Sequence, residues 1–176
     1  MNPAWIVWVG FVIAGGLGCF GSRVVAEEAR TIYIVRHAEK READHGDPDL
    51  SPAGKSRALA LADLLAAVDL DYVFTSEYKR TIQTGELVVA ALGVTASVVP
   101  ARAEDELLRR LRELPAGSTA LVVAHSNTAP RIARRLGVSD VNPMAESEYD
   151  RLMQVTIDPV GVAVLRTLRF GPSDEE

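Results

Sequence analysis

The sequence predicts an α/β fold in three layers, with a mostly parallel sheet covered by helices on both faces. Short apolar runs rich in β-branched residues recur along the chain, and segments with apolar residues at helical spacing lie between them. The chain has 176 residues, which is long enough for one domain with a sizeable core and short for two.

Six short segments read as strands. They are residues 32–35, 71–75, 97–99, 119–124, 152–157 and 162–168. A predicted helix follows each of the first four, as parallel neighbours require. The last two flank the turn sequence "DPVG" and predict a hairpin at the edge of the sheet.

The predicted helices carry recognisable start and stop signals. Ser51 before Pro52 is typical of a helix start, and Gly93 and Gly137 are typical of helix ends. Pro130 is tolerated in a first helical turn. The predicted helices are residues 51–68, 79–92, 104–114 and a fourth that ends at residue 136.

The first part of the chain does not belong to this domain. Residues 1–22 contain no charged side chain and are mostly apolar, and "VVA" before Glu27 fits a cleavage site. We therefore divide the chain into a signal peptide or N-terminal membrane anchor, 1–26, and a domain, 27–176. The domain is expected to be exported to the periplasm or another extracytoplasmic space, with membrane attachment as the alternative.

The composition of the chain disfavours some functions. The net charge of -5 does not favour a nucleic-acid surface. Cys19 is the only cysteine and lies in the apolar segment, where a lipid-attachment site is an alternative to a plain small residue. The domain itself therefore has neither a disulfide nor a thiol nucleophile.

Polar side chains follow three predicted parallel strands where each strand ends. Arg36 and His37 follow the first strand. Ser76 and then Arg80 follow the second, and His125 follows the strand 119–124. Ligands of such sheets bind beyond the carboxyl ends of the strands. We therefore expect two histidines and two arginines to converge at one edge.

This combination favours phosphoryl transfer. Guanidinium groups are always charged and match phosphate oxygens. A neutral histidine is a nucleophile, and a protonated second histidine stabilises charge on the phosphoryl oxygens. A zinc site of His37, His125 and Glu39 is the rival interpretation, but two arginines beside a cation disfavour it. We expect no metal and no cofactor.

Four motifs carry a family resemblance. "IVRHAEK", "LSPAGKSRA", "VFTSEYKRTIQT" and "LVVAHSNT" occur in the order found in the histidine phosphatase (phosphoglycerate mutase-like) superfamily. The chain resembles its small bacterial members from about residue 31 to about residue 170. The resemblance implies a phosphoglycerate mutase-like fold, with His37 as the phosphorylated nucleophile. It also implies that Arg36, Arg80 and His125 bind the phosphoryl group.

The sequence offers more than one candidate for the general acid. Ser126 follows His125, so the His-Asp pair of some family members is absent, and Ser126 becomes a candidate phosphate ligand. Glu104 is the first choice for the acid and Asp105 the second, although an acidic residue at a helix start is also favoured by the helix dipole. Glu39 is expected to orient Arg36 or Lys40.

The expected function is a metal-independent phosphatase acting on small phosphate monoesters. One alternative is a non-catalytic phosphate-binding module of the same fold. Another is a phosphatase of phosphohistidine proteins, which export disfavours. A mutase is least favoured, because the chain is short for one.

Overall fold

A computed structural model describes residues 28–42 and 46–173 of the chain. The predicted signal or anchor segment 1–26, with Cys19, lies outside the described residues, as does His45. Within the described ranges, no helix combines the length and the apolar character that a membrane crossing requires.

The described residues contain one six-stranded sheet. Its strands are β1 Arg30–Arg36, β2 Tyr72–Thr75, β3 Ala96–Val98, β4 Thr119–Ala124, β5 Arg151–Ile157 and β6 Ala163–Arg169. Their order across the sheet is β3-β2-β4-β1-β5-β6. The first four in this order run parallel, and β5 lies antiparallel to both of its neighbours, β1 and β6. The mostly parallel sheet predicted from the sequence is confirmed.

In the described part of the chain, three helices connect the parallel strands and a fourth connects β4 to β5. They are α1 Pro52–Leu65, α2 Lys79–Leu92, α3 Glu104–Arg112 and α4 Ala129–Arg135. The predicted signals act as expected. The Ser51 side chain accepts a hydrogen bond from the Gly54 amide at 3.0 Å, and Gly93 ends α2 with a left-handed φ of 69°.

Two apolar cores lie on opposite faces of the sheet. On one face, α1 and α2 pack through residues such as Leu61 and Val88 against β1, β2 and β4. On the other face, α3 and α4 contribute Leu108, Leu111 and Ile132. The three predicted layers follow from this arrangement. Helix α1 ends three residues earlier than expected, because turn hydrogen bonds at residues 66 and 68 replace the helical pattern.

The last two strands form the predicted hairpin. The Asp158 carboxylate accepts hydrogen bonds from the amides of Val160 and Val162, at 3.0 and 2.7 Å, which stabilises the turn. β5 pairs with β1 as well as with β6, so β6 alone forms this edge of the sheet. The segment that leads from α4 to β5 therefore passes the carboxyl end of β1.

Candidate active site

The β1–β4 pairing brings two histidines together. Arg36 lies opposite Ala124 in the parallel register, so His37 and His125 are the first residues beyond the paired ends. The His37 amide continues the ladder by donating to the Ala124 carbonyl oxygen at 2.9 Å. The two imidazole rings meet edge to face, with centroids 5.5 Å apart.

His37 is held in one tautomer. Its Nδ1–H donates to the carbonyl oxygen of Ala38 at 2.8 Å, because a carbonyl can only accept. The lone pair therefore lies on Nε2, the nitrogen that is left for a nucleophilic attack. His37 is only 4% exposed, so few orientations of the ring are open to it.

The surroundings of His37 keep it neutral. Burial lowers its pKa to about 3, and the nearby positive charges of Arg36 and Arg80 act in the same direction. The hydrogen bond to Ala38 opposes this shift without cancelling it. A neutral imidazole at neutral pH is the form that a nucleophile needs.

His125 is also neutral in the free protein. Burial and the charge of Arg80 together lower its pKa to about 4, and the carboxylate of Glu77 opposes the shift. Its Nε2 lies 3.2 Å from the Ser76 hydroxyl oxygen. That hydroxyl is itself 2.8 Å from the Thr81 hydroxyl. The second strand end thus orients the second histidine, and a protonated His125 would require the negative charge of a ligand.

Arg36 is buried, and its guanidinium group lies over an aromatic ring. Its guanidinium carbon is 3.8 Å from the ring centroid of Tyr149, and Nη1 donates to backbone carbonyls at residues 145, 146 and 148. The buried Nε has no hydrogen-bond partner among the described residues. An unpaired buried donor on a cation is costly unless an anion accepts from it.

Arg80 lies in the first turn of α2. Its guanidinium carbon is 4.3 Å from the ring centroid of Tyr78, and Nη1 is 3.5 Å from the Asp47 carboxylate. Tyr78 in turn contacts His125, with ring centroids 5.5 Å apart. The aromatic ring therefore holds the second arginine near the second histidine.

Glu104 lies at the site but in an ionised state. Burial alone would raise its pKa, but hydrogen bonds from Arg131 and Arg135 lower it below the usual value. The Arg131 and Arg135 nitrogens are 2.6 and 3.1 Å from its carboxylate oxygens. Asp105 pairs with Arg135, and its side chain is 89% exposed. The lowered pKa of Glu104 is opposite in direction to the raised pKa that a general acid needs.

All six predicted site residues line one open cleft of about 850 Å³: Arg36, His37, Arg80, Glu104, His125 and Ser126. Asp105 does not line it. Lys40, Arg102 and Arg131 add positive charge to its walls. Arg131 belongs to α4, and no motif in the sequence marks it as a site residue. Its place on the cleft follows from its ion pair with Glu104, which packing of α3 beside α4 makes possible.

Glu39 has a different role from the one expected. It contacts neither Arg36 nor Lys40. Its carboxylate accepts from Nε of the buried Arg57 at 2.9 Å. This ion pair also removes the carboxylate that the zinc alternative required. Among the described residues, no group of three or more histidine, cysteine, aspartate or glutamate side chains is arranged to hold a metal ion.

Glu146 was not found from the sequence. Its Oε1 accepts from the Ser126 hydroxyl at 2.7 Å, and its Oε2 accepts from Arg36 Nη2 at 3.1 Å. It lies in an irregular segment between α4 and β5, with no motif or periodicity around it. Only its position beside Arg36 in the folded chain reveals it.

Comparison with known proteins agrees with this geometry. The sequence profile of the histidine phosphatase superfamily (branch 1) matches residues 32–107. Human 6-phosphofructo-2-kinase/fructose-2,6-bisphosphatase 4 is 42% identical over 71 residues, which are 37% of this chain. The match covers 14% of the length of that human protein.

Solved structures share the fold over most of the described domain. The protein histidine phosphatase SixA, solved with tungstate, superimposes with a TM-score of 0.66 at 21% identity, over 79% of this chain and 96% of SixA. The alpha-ribazole phosphatase of Shigella flexneri gives a TM-score of 0.61 at 18% identity, over 81% of this chain and 99% of that one.

Proposed function

The chain belongs to the histidine phosphatase superfamily, and from this premise we propose that it is a phosphatase that hydrolyses phosphate monoesters through a phosphohistidine on His37. Arg36, Arg80, His125 and Ser126 bind the phosphoryl group. The reaction requires no metal, because two guanidinium groups neutralise the phosphoryl charge and histidine supplies the nucleophile.

One observation carries the proposal. The hydrogen bond from Nδ1–H to Ala38 leaves a neutral, lone-pair-bearing Nε2 on His37. Arg36 directly precedes His37, and its unpartnered Nε–H is a donor suited to an anion. A nucleophile beside an unsatisfied cationic donor is the arrangement that transfer of a phosphoryl group to histidine requires.

The chemistry proceeds in two displacements. His37 Nε2 attacks phosphorus, the ester P–O bond breaks, and the departing oxygen takes up a proton. Water then attacks the phosphorus of the phosphohistidine, the P–N bond breaks, and inorganic phosphate leaves. A phosphoryl dianion beside His125 favours its protonated form, which donates to the equatorial oxygens as charge develops there.

A phosphohistidine protein is the second candidate substrate. The likeness to SixA, described as a protein histidine phosphatase, favours it. The reaction on His37 would be the same, but the bond that breaks in the substrate would be P–N. A non-catalytic phosphate-binding module remains the alternative in which no turnover occurs.

The test is hydrolysis of p-nitrophenyl phosphate by the purified domain, with and without EDTA. We expect turnover that EDTA leaves unchanged and that His37→Ala abolishes, with folding of the variant confirmed by circular dichroism. Loss of activity in EDTA would favour a metal hydrolase. Binding of vanadate without turnover of any phosphate ester or phosphohistidine peptide would favour the binding module.

A further inference from the structure

Hydrolysis of an alkyl phosphate needs a proton for the departing oxygen, because an alkoxide is a poor leaving group. Glu104 does not supply it readily, since two arginines hold its pKa below the usual value. A second carboxylate lines the same cleft. It belongs to Glu146, in the segment between α4 and β5.

The Glu146 carboxylate accepts hydrogen bonds from two of the groups that are proposed to bind the phosphoryl group. Its Oε2 accepts from Arg36 Nη2 at 3.1 Å, and its Oε1 accepts from the Ser126 hydroxyl at 2.7 Å. The side chain is otherwise open to solvent, with 84% of its surface exposed. Its carboxylate is therefore positioned by these two contacts and not by burial.

The backbone beneath Glu146 is fixed by the same arginine. Nη1 of Arg36 donates to the carbonyl oxygens of Ala145, Glu146 and Glu148, at 3.2, 2.6 and 3.1 Å. Arg36 is 3% exposed, and the positive charge of its guanidinium group strengthens each of these bonds. The segment cannot move away from the phosphate site without breaking them.

Binding of a phosphoryl group changes the situation of this carboxylate. A phosphoryl dianion on Arg36 repels a second negative charge on the same guanidinium. A neutral carboxyl at this position has no such repulsion, and its O–H can donate a hydrogen bond where the carboxylate can only accept. Such a donor would lie on the wall of the cleft that is proposed to hold the phosphoryl group.

We propose that Glu146 is the general acid and that the substrates are phosphate monoesters of ordinary alcohols. This inference rests on the proposed function of His37. As His37 Nε2 bonds to phosphorus, the P–O bond breaks and its electron pair passes to oxygen, which takes the Glu146 proton. Glu146, now a carboxylate, accepts a proton from the water that attacks the phosphohistidine, and its acid form is restored.

The test is the leaving-group dependence of Glu146→Gln, whose one side-chain oxygen can still accept from either Ser126 or Arg36 but which carries no carboxyl proton. p-Nitrophenolate leaves without protonation, whereas the alkoxide of β-glycerophosphate does not. We expect kcat on β-glycerophosphate to fall about 100-fold or more, and kcat on p-nitrophenyl phosphate to fall less than about fivefold. Loss of the proton from a general acid lowers kcat at high pH. We expect this fall in kcat for the wild type on β-glycerophosphate and not for Glu146→Gln.

Two further variants sharpen the test. Glu86→Gln changes an exposed carboxylate on α2, away from the cleft, and should behave as the wild type on both substrates. Glu104→Gln tests the rival acid, and we expect it to change both rates by the same factor. Thermal unfolding of each variant controls for loss of structure.

Several results would overturn the inference. They are an equal fall on both substrates in Glu146→Gln, a leaving-group-dependent fall in Glu104→Gln instead, or failure of the wild type to hydrolyse β-glycerophosphate while it turns over p-nitrophenyl phosphate. Failure of the proposed function looks different: turnover of p-nitrophenyl phosphate would then persist in His37→Ala or be absent from the wild type.

Discussion

The imidazole rings of His37 and His125 lie edge to face with their centroids 5.5 Å apart, although 87 residues separate them in the chain. Parallel pairing of β1 with β4 produces this contact, because Arg36 lies opposite Ala124 and both strands end at the same level. The two histidines therefore move with the sheet as a rigid frame.

Replacing His125 by alanine should slow the reaction without removing the nucleophile. His125 is proposed to donate to the phosphoryl oxygens, and loss of one such donor costs about 10²- to 10³-fold in kcat. Steady-state kinetics with p-nitrophenyl phosphate measures the loss. Phosphorylation of His37 should still be detectable in the variant after acid-free quenching. A variant with wild-type kcat would contradict this role.

The two histidines should titrate well below the usual pH range. Burial lowers the pKa of His37 to about 3 and that of His125 to about 4, from an ordinary value of 6.5. Their imidazole proton resonances should therefore show no inflection near the ordinary value in an NMR titration. His37→Asn and His125→Asn assign the resonances. An inflection at the ordinary value for His37 would contradict the environment described.

The same shift makes stability depend on pH. Below pH 6.5 the unfolded chain protonates His37 while the folded chain does not, down to about pH 3. The free energy of unfolding should therefore fall as pH falls through this window, by up to about 1.4 kcal/mol per pH unit. Urea denaturation at about pH 7 and about pH 4.5 measures it. His37→Asn should show a smaller fall, and an equal fall would exclude His37 as the source.

The two arginines should differ in what they contribute. Arg36 is 3% exposed and satisfies three backbone carbonyls, whereas the Arg80 side chain is 18% exposed and contacts Tyr78 and Asp47. Both alanine variants should weaken vanadate binding. Only Arg36→Ala should also lower the free energy of unfolding, by about 1–3 kcal/mol, because it removes three hydrogen bonds from a buried cation to backbone carbonyls. Calorimetry and urea denaturation separate the two effects, and equal destabilisation would contradict the assignment.

Arg57 should be a structural residue. It is 2% exposed, pairs with Glu39, and donates to the carbonyl oxygens of Phe170 and Pro172 at 3.1 and 2.9 Å. Arg57→Ala removes the partner of a partly buried carboxylate and should lower the free energy of unfolding by about 3–5 kcal/mol. Arg110→Ala, on an exposed helix face, serves as the control. A wild-type urea midpoint for Arg57→Ala would contradict this role.

Local patterns were sufficient to predict the scaffold and the residues at strand ends. Apolar strands that run directly into Arg36-His37 and into His125 place these groups at one edge as soon as the strands are parallel. Ser51 and Gly93 defined helix boundaries because their capping chemistry is local. The site residues that follow directly from strand ends could therefore be predicted.

The acidic groups could not be predicted in the same way. The partners of Glu39, Glu104 and Glu146 come from α1, α4 and the end of β1, at separations of 18 to 110 residues. Such contacts depend on how helices pack and where an irregular segment passes. No periodicity in the sequence records either one.

The role of His37 as nucleophile is tested most directly by identifying the residue that carries phosphate during turnover. The domain is mixed with p-nitrophenyl phosphate, quenched at alkaline pH where phosphohistidine survives, digested and analysed by mass spectrometry. We predict one phosphorylated histidine, His37, and no phosphorylated histidine in His37→Ala. Phosphate on another residue during turnover would contradict this assignment. Turnover with no phosphorylated enzyme would also contradict it, provided that the same quench traps the phosphorylated form of the slower His125→Ala variant.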